Sequence, residues 1–223
     1  IIFTSGTTDS LNKIIFGYFK YYLKENDEVI LTQSEHASNI LPWFELKDEL
    51  NLKIKYVDLD QNLNLTIDNL KKCITENTKV ISIALITNVV GDIRPIKEII
   101  ELAHQNNILV VGDAAQSIAH TKIDVVDMDI DFMAFSSHKM YGPTGIGVLY
   151  GKFNLLQELV PRNYGGDMNA LFNRDGYIEL KDLPSRLEAG TPNIEGVIAL
   201  GEVIDYLSGI GMDKIYEYKL NKE

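Results

Sequence analysis

The feature that most constrains the fold is a succession of apolar strand, helix and apolar strand in the middle of the chain. Residues Lys79 to Ile86 form a continuous β-branched and apolar run, which predicts a buried strand ending near Asn88. A helix predicted from Ile96 to Asn106 then leads to a second buried strand, which ends at Asp113. This succession predicts an α/β domain with a mainly parallel, doubly wound sheet flanked by helices.

A lysine in an unusual setting follows this unit. One further strand, Asp131 to Ser136, leads into the sequence Ser-Ser-His-Lys and then into a glycine-rich turn, Gly142 to Gly147. Open α/β sheets bind ligands outside the carboxyl ends of their strands, and Lys139 comes just after one such end. A tight turn beside a buried strand is expected to strip water from Lys139, which makes its amine a nucleophile toward a carbonyl. The alternative is an ordinary surface lysine beside a turn.

Asp113 lies 139 − 113 = 26 residues before Lys139, which leaves room for a short connection and one strand. A carboxylate at that strand end can pair with a protonated pyridine nitrogen, and a lysine can form a Schiff base with an aldehyde. Together they indicate pyridoxal phosphate (PLP). Taken alone, Asp113 is more often a strand-end cap or a turn residue. The order strand, Asp, strand, Ser-x-His-Lys is more specific than either part.

A candidate anion site lies near the start of the sequence. Gly6, Thr7 and Thr8 precede a segment, Asp9 to Lys24, whose apolar residues recur at helical spacing. Backbone N–H groups, a hydroxyl and the positive end of the helix dipole would meet a phosphate there. The alternative is that Thr7 or Thr8 only caps the helix.

Six motifs occur in a fixed order along the chain. They are Gly6-Thr7-Thr8, Glu35-His36-Ala37-Ser38-Asn39-Ile40-Leu41-Pro42-Trp43, Thr87-Asn88-Val89-Val90-Gly91, Gly112-Asp113-Ala114-Ala115-Gln116, residues 136–145 (SSHKMYGPTG) and Glu188-Ala189-Gly190-Thr191-Pro192-Asn193. This series, which covers nearly the whole chain, resembles the class V aminotransferase family. Within that family it is most similar to the SufS-type (group II) cysteine desulfurases and selenocysteine lyases. The resemblance implies the large domain of PLP-dependent transferase fold type I, a mixed sheet in which Gly147 to Tyr150 is an antiparallel strand.

The resemblance also implies a role for each candidate site residue. Lys139 would hold the cofactor, Asp113 would pair with its ring nitrogen, and His36 would stack on the ring and pass protons. Without the resemblance, a lone histidine after a strand is more often a polar loop residue, and Asn88 is equally well a turn residue. The implied phosphate ligands are Gly6, Thr7, Thr8, Ser136 and His138, and the implied neighbours of the phenolate oxygen are Asn88 and Gln116. Thr191 would reach the cofactor phosphate of a partner subunit, which implies a homodimer.

The activity implied by the resemblance is cysteine desulfuration. L-cysteine would become L-alanine, and the sulfur would pass through an enzyme-bound persulfide to a Suf-type acceptor protein for iron–sulfur cluster assembly. The alternatives are another class V PLP enzyme (a selenocysteine lyase acting on L-selenocysteine, a kynureninase-like hydrolase or an epimerase) or an inactive truncated product. Dinucleotide binding ranks lower, because no G-x-G-x-x-G follows a strand.

Composition narrows the possible partners and the compartment. The net charge of −11 and pI near 4.8 argue against nucleic acid or an anionic membrane as a partner, and no apolar run approaches a membrane span. The single cysteine, Cys73, excludes an internal disulfide framework and fits a reducing cytoplasm. Cys73 is predicted to be a structural or surface thiol. The acidic segment Asp124 to Asp131 is predicted to be a solvated connection with no metal.

Two domains are predicted in outline. Residues 1–207 would form the large PLP-binding domain without its N-terminal segment, and residues 208–223 would start the connection to a smaller C-terminal domain. We expect this fragment to lack the persulfide cysteine and the arginine that binds the substrate carboxylate, and so to be at best a cofactor binder. Pro42-Trp43 is predicted to lead into a helix ending near Leu50, and Arg162 to Ser185 is predicted to be a long loop.

Overall fold

The computed structural model describes the backbone of residues 1–220 and the side chains of residues 1–218. Nine strands are present in the described chain, seven in one main sheet and two in a separate hairpin. They are β1 (Ile2–Thr4), β2 (Glu28–Thr32), β3 (Lys53–Val57), β4 (Thr78–Ala84), β5 (Leu109–Asp113), β6 (Phe132–Ser136), β7 (Gly147–Gly151), β8 (Asn169–Phe172) and β9 (Ile178–Leu180).

The main sheet has the order β1-β7-β6-β5-β4-β2-β3. The five strands from β6 to β3 are parallel to one another, whereas β7 runs antiparallel to both β6 and β1. The mainly parallel sheet and the antiparallel strand after the lysine turn are therefore both confirmed. Ala84 on β4 and Ala134 on β6 both pair with Asp113 on β5, so three adjacent strands end at one edge.

Helices cover both faces of the sheet. They are α1 (Thr7–Ile14), α2 (Lys20–Tyr22), α3 (Ala37–Leu50), α4 (Ile67–Cys73), α5 (Ile96–Gln105), α6 (Val125–Met128), α7 (Phe153–Glu158), α8 (Ile194–Ile210) and α9 (Met212–Leu220). A π-helical turn, Ile15–Phe19, joins α1 to α2. Alternate residues of a strand face opposite sides of the sheet. Val29 belongs to the core cluster that includes residues of α1, α3 and α7, and Ile30 belongs to the cluster that includes residues of α4, α5 and α8.

Three boundaries differ from the sequence predictions. Helix α3 begins at Ala37, five residues before Pro42, because His36 caps it and its ring nitrogen accepts the N–H of Ser38. The segment predicted as a long loop contains the β8–β9 hairpin. Helix α8 runs on to Ile210, across the predicted boundary at residue 207. Of the predicted connection, residues 221–223 lie outside the described residues.

Close backbone contact brings β1 and β7 together beside the first helix. Gly147 pairs with Thr4, and a Cβ placed on Gly147 would come within 2.4 Å of the Gly6 Cα. Glycine is therefore required at 147 for the turn before α1 to reach the edge of the sheet. Among residues 1–220, no helix has both the length and the apolar character that crossing a bilayer requires.

Candidate active site

A cavity of about 290 Å³ opens at the edge where the parallel strands end. Twelve residues line it: Thr7, Thr8, His36, Ser38, Ala84, Ile86, Asn88, Asp113, Ala115, Gln116, His138 and Lys139. Eight of the eleven predicted site residues are in that set. They converge because each follows the carboxyl end of a parallel strand or begins α1, so the sheet edge gathers residues that lie far apart in sequence.

The three remaining predicted residues lie outside the lining. Ser136 ends β6 and its hydroxyl lies 2.7 Å from the backbone nitrogen of Thr7, directly behind the lining. Gly6 is the N-cap of α1. Thr191 is exposed and lines a different cavity, together with Asn193 and Glu188. Within one chain, therefore, Thr191 does not contribute to the site.

Asp113 is the buried carboxylate of the site. Only 4% of its surface is exposed, and its Oδ1 accepts the backbone N–H of Ala115 at 2.9 Å. No described residue donates a hydrogen bond to its Oδ2. Burial raises the pKa of Asp113 to about 6, and the charge of Glu35 adds to this, while the Ala115 bond and the nearby His36 and Lys139 oppose it.

This arrangement bears on both interpretations of Asp113. The bond to Ala115 is the turn contact expected of a strand-end aspartate. A turn residue has no need of burial, however, and the Asp113 carboxyl group lines the cavity with one oxygen to which no described residue donates. A cationic N–H group in the cavity, such as a protonated pyridine nitrogen, fits this vacant acceptor, so the residues present suit PLP.

His36 is held in one orientation by the start of α3. Its Nδ1 accepts the backbone N–H of Ser38 at 3.1 Å, and the Ser38 hydroxyl lies at the same distance. Because a backbone N–H can only donate, Nδ1 is the acceptor, and the proton of the neutral ring is on Nε2. Nε2 is thus the ring nitrogen left to exchange protons with a bound molecule.

Hydroxyl groups join the start of α1 to strand β6 and to the start of α3. Thr7 Oγ1 lies 2.8 Å from Ser136 Oγ, and Thr8 Oγ1 lies 2.8 Å from Ser38 Oγ. Neither threonine caps α1, since the N-cap is Gly6 and no side chain caps that helix end. The capping alternative is therefore wrong. Both threonines are available to an anion at the positive end of α1.

Lys139 lies in a short 3-10 helix, Ser137–Met140, that directly follows β6. The prediction that the turn strips water from Lys139 is wrong for this chain, because its side chain is exposed. The glycine turn instead holds the lysine at the mouth of the cavity: Gly142 N–H donates to the Ser137 carbonyl at 3.0 Å, and a Cβ on Gly142 would collide with the Ser137 hydroxyl.

Sequence reasoning missed two parts of this region. Ser38 lines the cavity, and its place two residues after His36 at a helix start was the available signal. Behind the lining, Glu35 and Arg94 form an ion pair whose side chains are both fully buried. They are 59 residues apart, and nothing local in the sequence joins them.

Comparison with known proteins identifies the family. The family model for Aminotransferase class-V matches residues 1–223. This chain belongs to the class V aminotransferase family. The membership confirms the family and fold class expected from the sequence, and with them the cofactor, PLP.

Named relatives of this class V chain are cysteine desulfurases. A probable cysteine desulfurase from Halalkalibacterium halodurans is 42% identical over 98% of this chain and 54% of its own length. Cysteine desulfurase CsdA from Escherichia coli superposes with a TM-score of 0.89 at 38% identity, covering 93% of this chain and 52% of that one. The apo cysteine desulfurase from Thermococcus onnurineus superposes with a TM-score of 0.93 at 37% sequence identity, covering 99% of this chain and 55% of that one. The chain spans about half the length of the curated relatives it matches.

Proposed function

We propose that this chain is the cofactor-binding part of a SufS-type cysteine desulfurase. Such an enzyme converts L-cysteine and a protein thiol into L-alanine and a protein persulfide. One observation carries the proposal: an exposed lysine amine, an imidazole and a buried carboxylate with a vacant acceptor line one cavity. The names of the relatives support the same activity.

When bound, PLP supplies an aldehyde carbon for covalent attachment and a conjugated ring that accepts electrons. In the proposal, Lys139 Nζ is the attachment point and Asp113 accepts a hydrogen bond from the ring nitrogen. A cation opposite Asp113 favours its ionised form, which reverses the effect of burial on the pKa of this carboxyl. The carboxylate would in turn keep the ring nitrogen protonated.

His36 is proposed to stack on the ring and to move a proton at Nε2. The hydrogen bond from Ser38 to Nδ1 fixes the ring orientation, so proton exchange at Nδ1 would first require that bond to break. This arrangement supports a single proton-transfer position. The amide N–H groups of Asn88 and Gln116, both lining the cavity, are proposed to donate to the phenolate oxygen.

The phosphate is assigned to the positive end of α1 and the turn after β6. Thr7, Thr8, Ser136 and His138 would supply hydroxyl, backbone and imidazole donors around Gly6. Thr191 is proposed to serve the phosphate site of a second copy, because in its own chain it lies in a separate cavity. A homodimer is therefore part of the proposal.

The sulfur-accepting thiol is assigned to a part of the whole protein outside these 223 residues. Cys73 is the chain's one cysteine and is not among the residues lining the cavity. Its Sγ lies 3.4 Å from the Tyr56 carbonyl, and burial raises the pKa of its thiol, which disfavours the reactive thiolate. A cytoplasmic Suf-type protein is the proposed final acceptor of the sulfur.

The test begins with cofactor attachment. Purified protein is mixed with PLP, reduced with borohydride and digested, and the modified peptide is identified by mass spectrometry. We expect one PLP adduct, on Lys139, together with a visible absorption band that borohydride removes. Lys139→Ala should lose both, while Lys71→Ala, a change at another exposed lysine, should retain both. A folded wild-type protein that gains no adduct on Lys139 contradicts the proposal.

The reaction is then tested with the whole protein. L-cysteine and a reductant should yield alanine and sulfide in equal amounts, and Lys139→Ala should yield neither. Release of selenium from L-selenocysteine with no sulfide from L-cysteine would replace the desulfurase assignment with that of a selenocysteine lyase.

A further inference from the structure

Behind the cavity, Glu35 and Arg94 connect the segments that present His36 and Asn88. We propose that this buried ion pair is a positioning element for the cofactor: it fixes His36 and the loop carrying Asn88 in their places around the cavity. The inference rests on the proposed function, since it presupposes that PLP occupies this cavity. Neither Glu35 nor Arg94 lines the cavity, so both act through their neighbours.

Glu35 ties three elements together immediately before His36. Its Oε1 accepts the hydroxyl of Thr32, the last residue of β2, at 2.7 Å and also accepts Arg94 Nη1. Its Oε2 accepts the backbone N–H of Ala84 at 2.7 Å and the amide of Asn39 in α3 at 3.0 Å. Both oxygens thus have two donors each. The residue that follows Glu35 is held between this anchor and the first turn of α3.

Arg94 closes the other side of the anchor. Its Nη2 donates to Thr32 Oγ1 at 2.7 Å and to Ser34 Oγ at 2.9 Å, on the segment leading to His36. Its backbone N–H donates to the Leu85 carbonyl at 3.1 Å, at the base of the loop that follows β4. That loop carries Asn88 and closes on itself through Thr87. Arg94 therefore links two segments of the cavity wall: its guanidinium holds the segment before His36, and its backbone N–H and its ion pair with Asp92 hold the loop.

Charge adds a second link between the pair and the cofactor. Arg94 Nε also lies 3.5 Å from Asp92 Oδ2, so the guanidinium faces two carboxylates in a dry region. Burial is the main cause of the raised pKa of Asp113, and Glu35 is close enough for its charge to raise that pKa further. An unpaired Glu35 charge would therefore be felt at the carboxylate that faces the cofactor nitrogen.

A purely structural ion pair would affect stability alone, and Glu28 provides a matched control for that case. As whole residues Glu28 and Glu35 are both buried, 8% and 7% exposed, although the Glu28 side chain keeps 10% exposure and that of Glu35 keeps none. Glu28 also accepts threonine hydroxyls. It begins β2, whereas Glu35 follows the end of that strand. Glu28→Gln should therefore disturb the fold in a comparable way without disturbing the cavity.

The experiment measures two quantities in wild type, Glu35→Gln, Arg94→Met, Arg94→Lys and Glu28→Gln. The first is the Kd for PLP at a temperature where circular dichroism shows each variant folded. The second is the tautomer of the His36 ring in the cofactor-free protein, from nitrogen-15 NMR, with the signal assigned by its loss in His36→Asn. We expect Glu35→Gln and Arg94→Met to weaken PLP binding at least tenfold and to mix the His36 tautomers. Arg94→Lys should give a Kd and a tautomer mixture between those of these two variants and those of wild type. Glu28→Gln should match wild type in both the Kd for PLP and the His36 tautomer.

Two results would overturn the inference. The first is a wild-type Kd for PLP and a wild-type His36 tautomer in the Glu35 and Arg94 variants. The second is a loss of PLP binding in Glu28→Gln equal to the loss in those variants. If a single variant does not fold, the double variant Glu35→Gln/Arg94→Met removes both charges and leaves neither of them buried alone. A weakened Kd for PLP in the double variant supports the inference, and a wild-type Kd contradicts it. A wild-type protein that binds no PLP contradicts the proposed function instead. The His36 tautomer, measured without cofactor, then still decides whether the pair positions the ring.

Discussion

Replacing Asp113 with asparagine is expected to stabilise the cofactor-free protein at neutral pH, although it removes a proposed cofactor ligand. Burial raises the pKa of Asp113 from 3.8 to about 6. Raising the pKa from 3.8 to about 6 corresponds to roughly 3 kcal/mol. This is the free energy by which the folded protein resists ionising Asp113. Asparagine carries no charge, and its oxygen can keep the bond to the Ala115 N–H.

The sign of the pH dependence follows from the direction of the shift. Because the folded state binds the proton of Asp113 more tightly than the unfolded state does, stability falls as pH rises from the unfolded value toward 6. Below the unfolded pKa of 3.8, Asp113 is protonated in both states, so its charge should make no difference between the stabilities of wild type and Asp113→Asn. Above roughly pH 6.5 the variant should be more stable by about 3 kcal/mol.

The assay is urea denaturation of cofactor-free protein at several pH values, followed by circular dichroism. Asp131→Asn is the matched control. Asp131 is also buried, at 2% exposed, but it accepts the Val110 N–H at 2.8 Å and pairs with Lys152 and His104. Removing its charge should therefore destabilise the protein by roughly 1–3 kcal/mol, the range for losing charged hydrogen bonds, because His104 and Lys152 keep partial contact with solvent.

Addition of PLP should reverse the advantage of Asp113→Asn. A ligand that binds only the folded state stabilises it in proportion to the logarithm of its concentration over Kd, so a variant with weaker binding gains less. We expect PLP to raise the unfolding midpoint of wild type more than that of Asp113→Asn. Loss of stability in Asp113→Asn at pH 7 without cofactor, or equal gains on adding PLP, would refute the reasoning.

Three further predictions follow from local contacts. Burial opposes the ionisation of Glu28, but hydrogen bonds from Thr75 and Thr78 and the nearby Lys55 outweigh burial and lower the pKa of Glu28. The stability that this carboxylate contributes is therefore lost as pH falls through the lowered pKa. Glu28→Gln should cost about 1–3 kcal/mol of unfolding free energy at pH 7 and make stability, measured in urea, less dependent on pH under acidic conditions. Gly147→Ala should cost about 1–3 kcal/mol in the same assay and weaken PLP binding, because the new Cβ would meet the backbone beside α1; wild-type values would show that β1 moves aside freely. Cys73→Ser should leave sulfur transfer by the whole protein unchanged, and loss of persulfide formation would show instead that Cys73 is the acceptor.

The main sheet could be predicted because its strands are buried on both faces. Continuous β-branched runs mark β4 and β5 without any tertiary information. The β8–β9 hairpin could not be predicted in this way. Its residues are mostly exposed, so no buried face imposes the alternation by which a strand is recognised.

Most of the cavity lining could be predicted for a related reason. Asn88, Asp113 and Lys139 follow the carboxyl ends of strands β4, β5 and β6, and adjacent parallel strands bring those ends to one edge. The exposure of Lys139 could not be predicted from its glycine-rich surroundings. A turn sets the backbone, but desolvation depends on what packs over the side chain, and in this chain nothing among the described residues buries it.

The contrast between two buried carboxylates separates structure from function at this edge of the sheet. Glu35 and Asp113 are similarly buried, at 7% and 4% exposed. Each oxygen of Glu35 accepts two hydrogen bonds from within the chain, including one from a guanidinium to Oε1, so these contacts compensate its buried charge. Asp113 lines a cavity and receives one backbone N–H, which lowers its pKa, but burial outweighs that bond and raises the pKa. A buried acid with one oxygen free of donors among the described residues is suited to a partner from outside the chain, and the partner that we propose at this position is the protonated ring nitrogen of the cofactor.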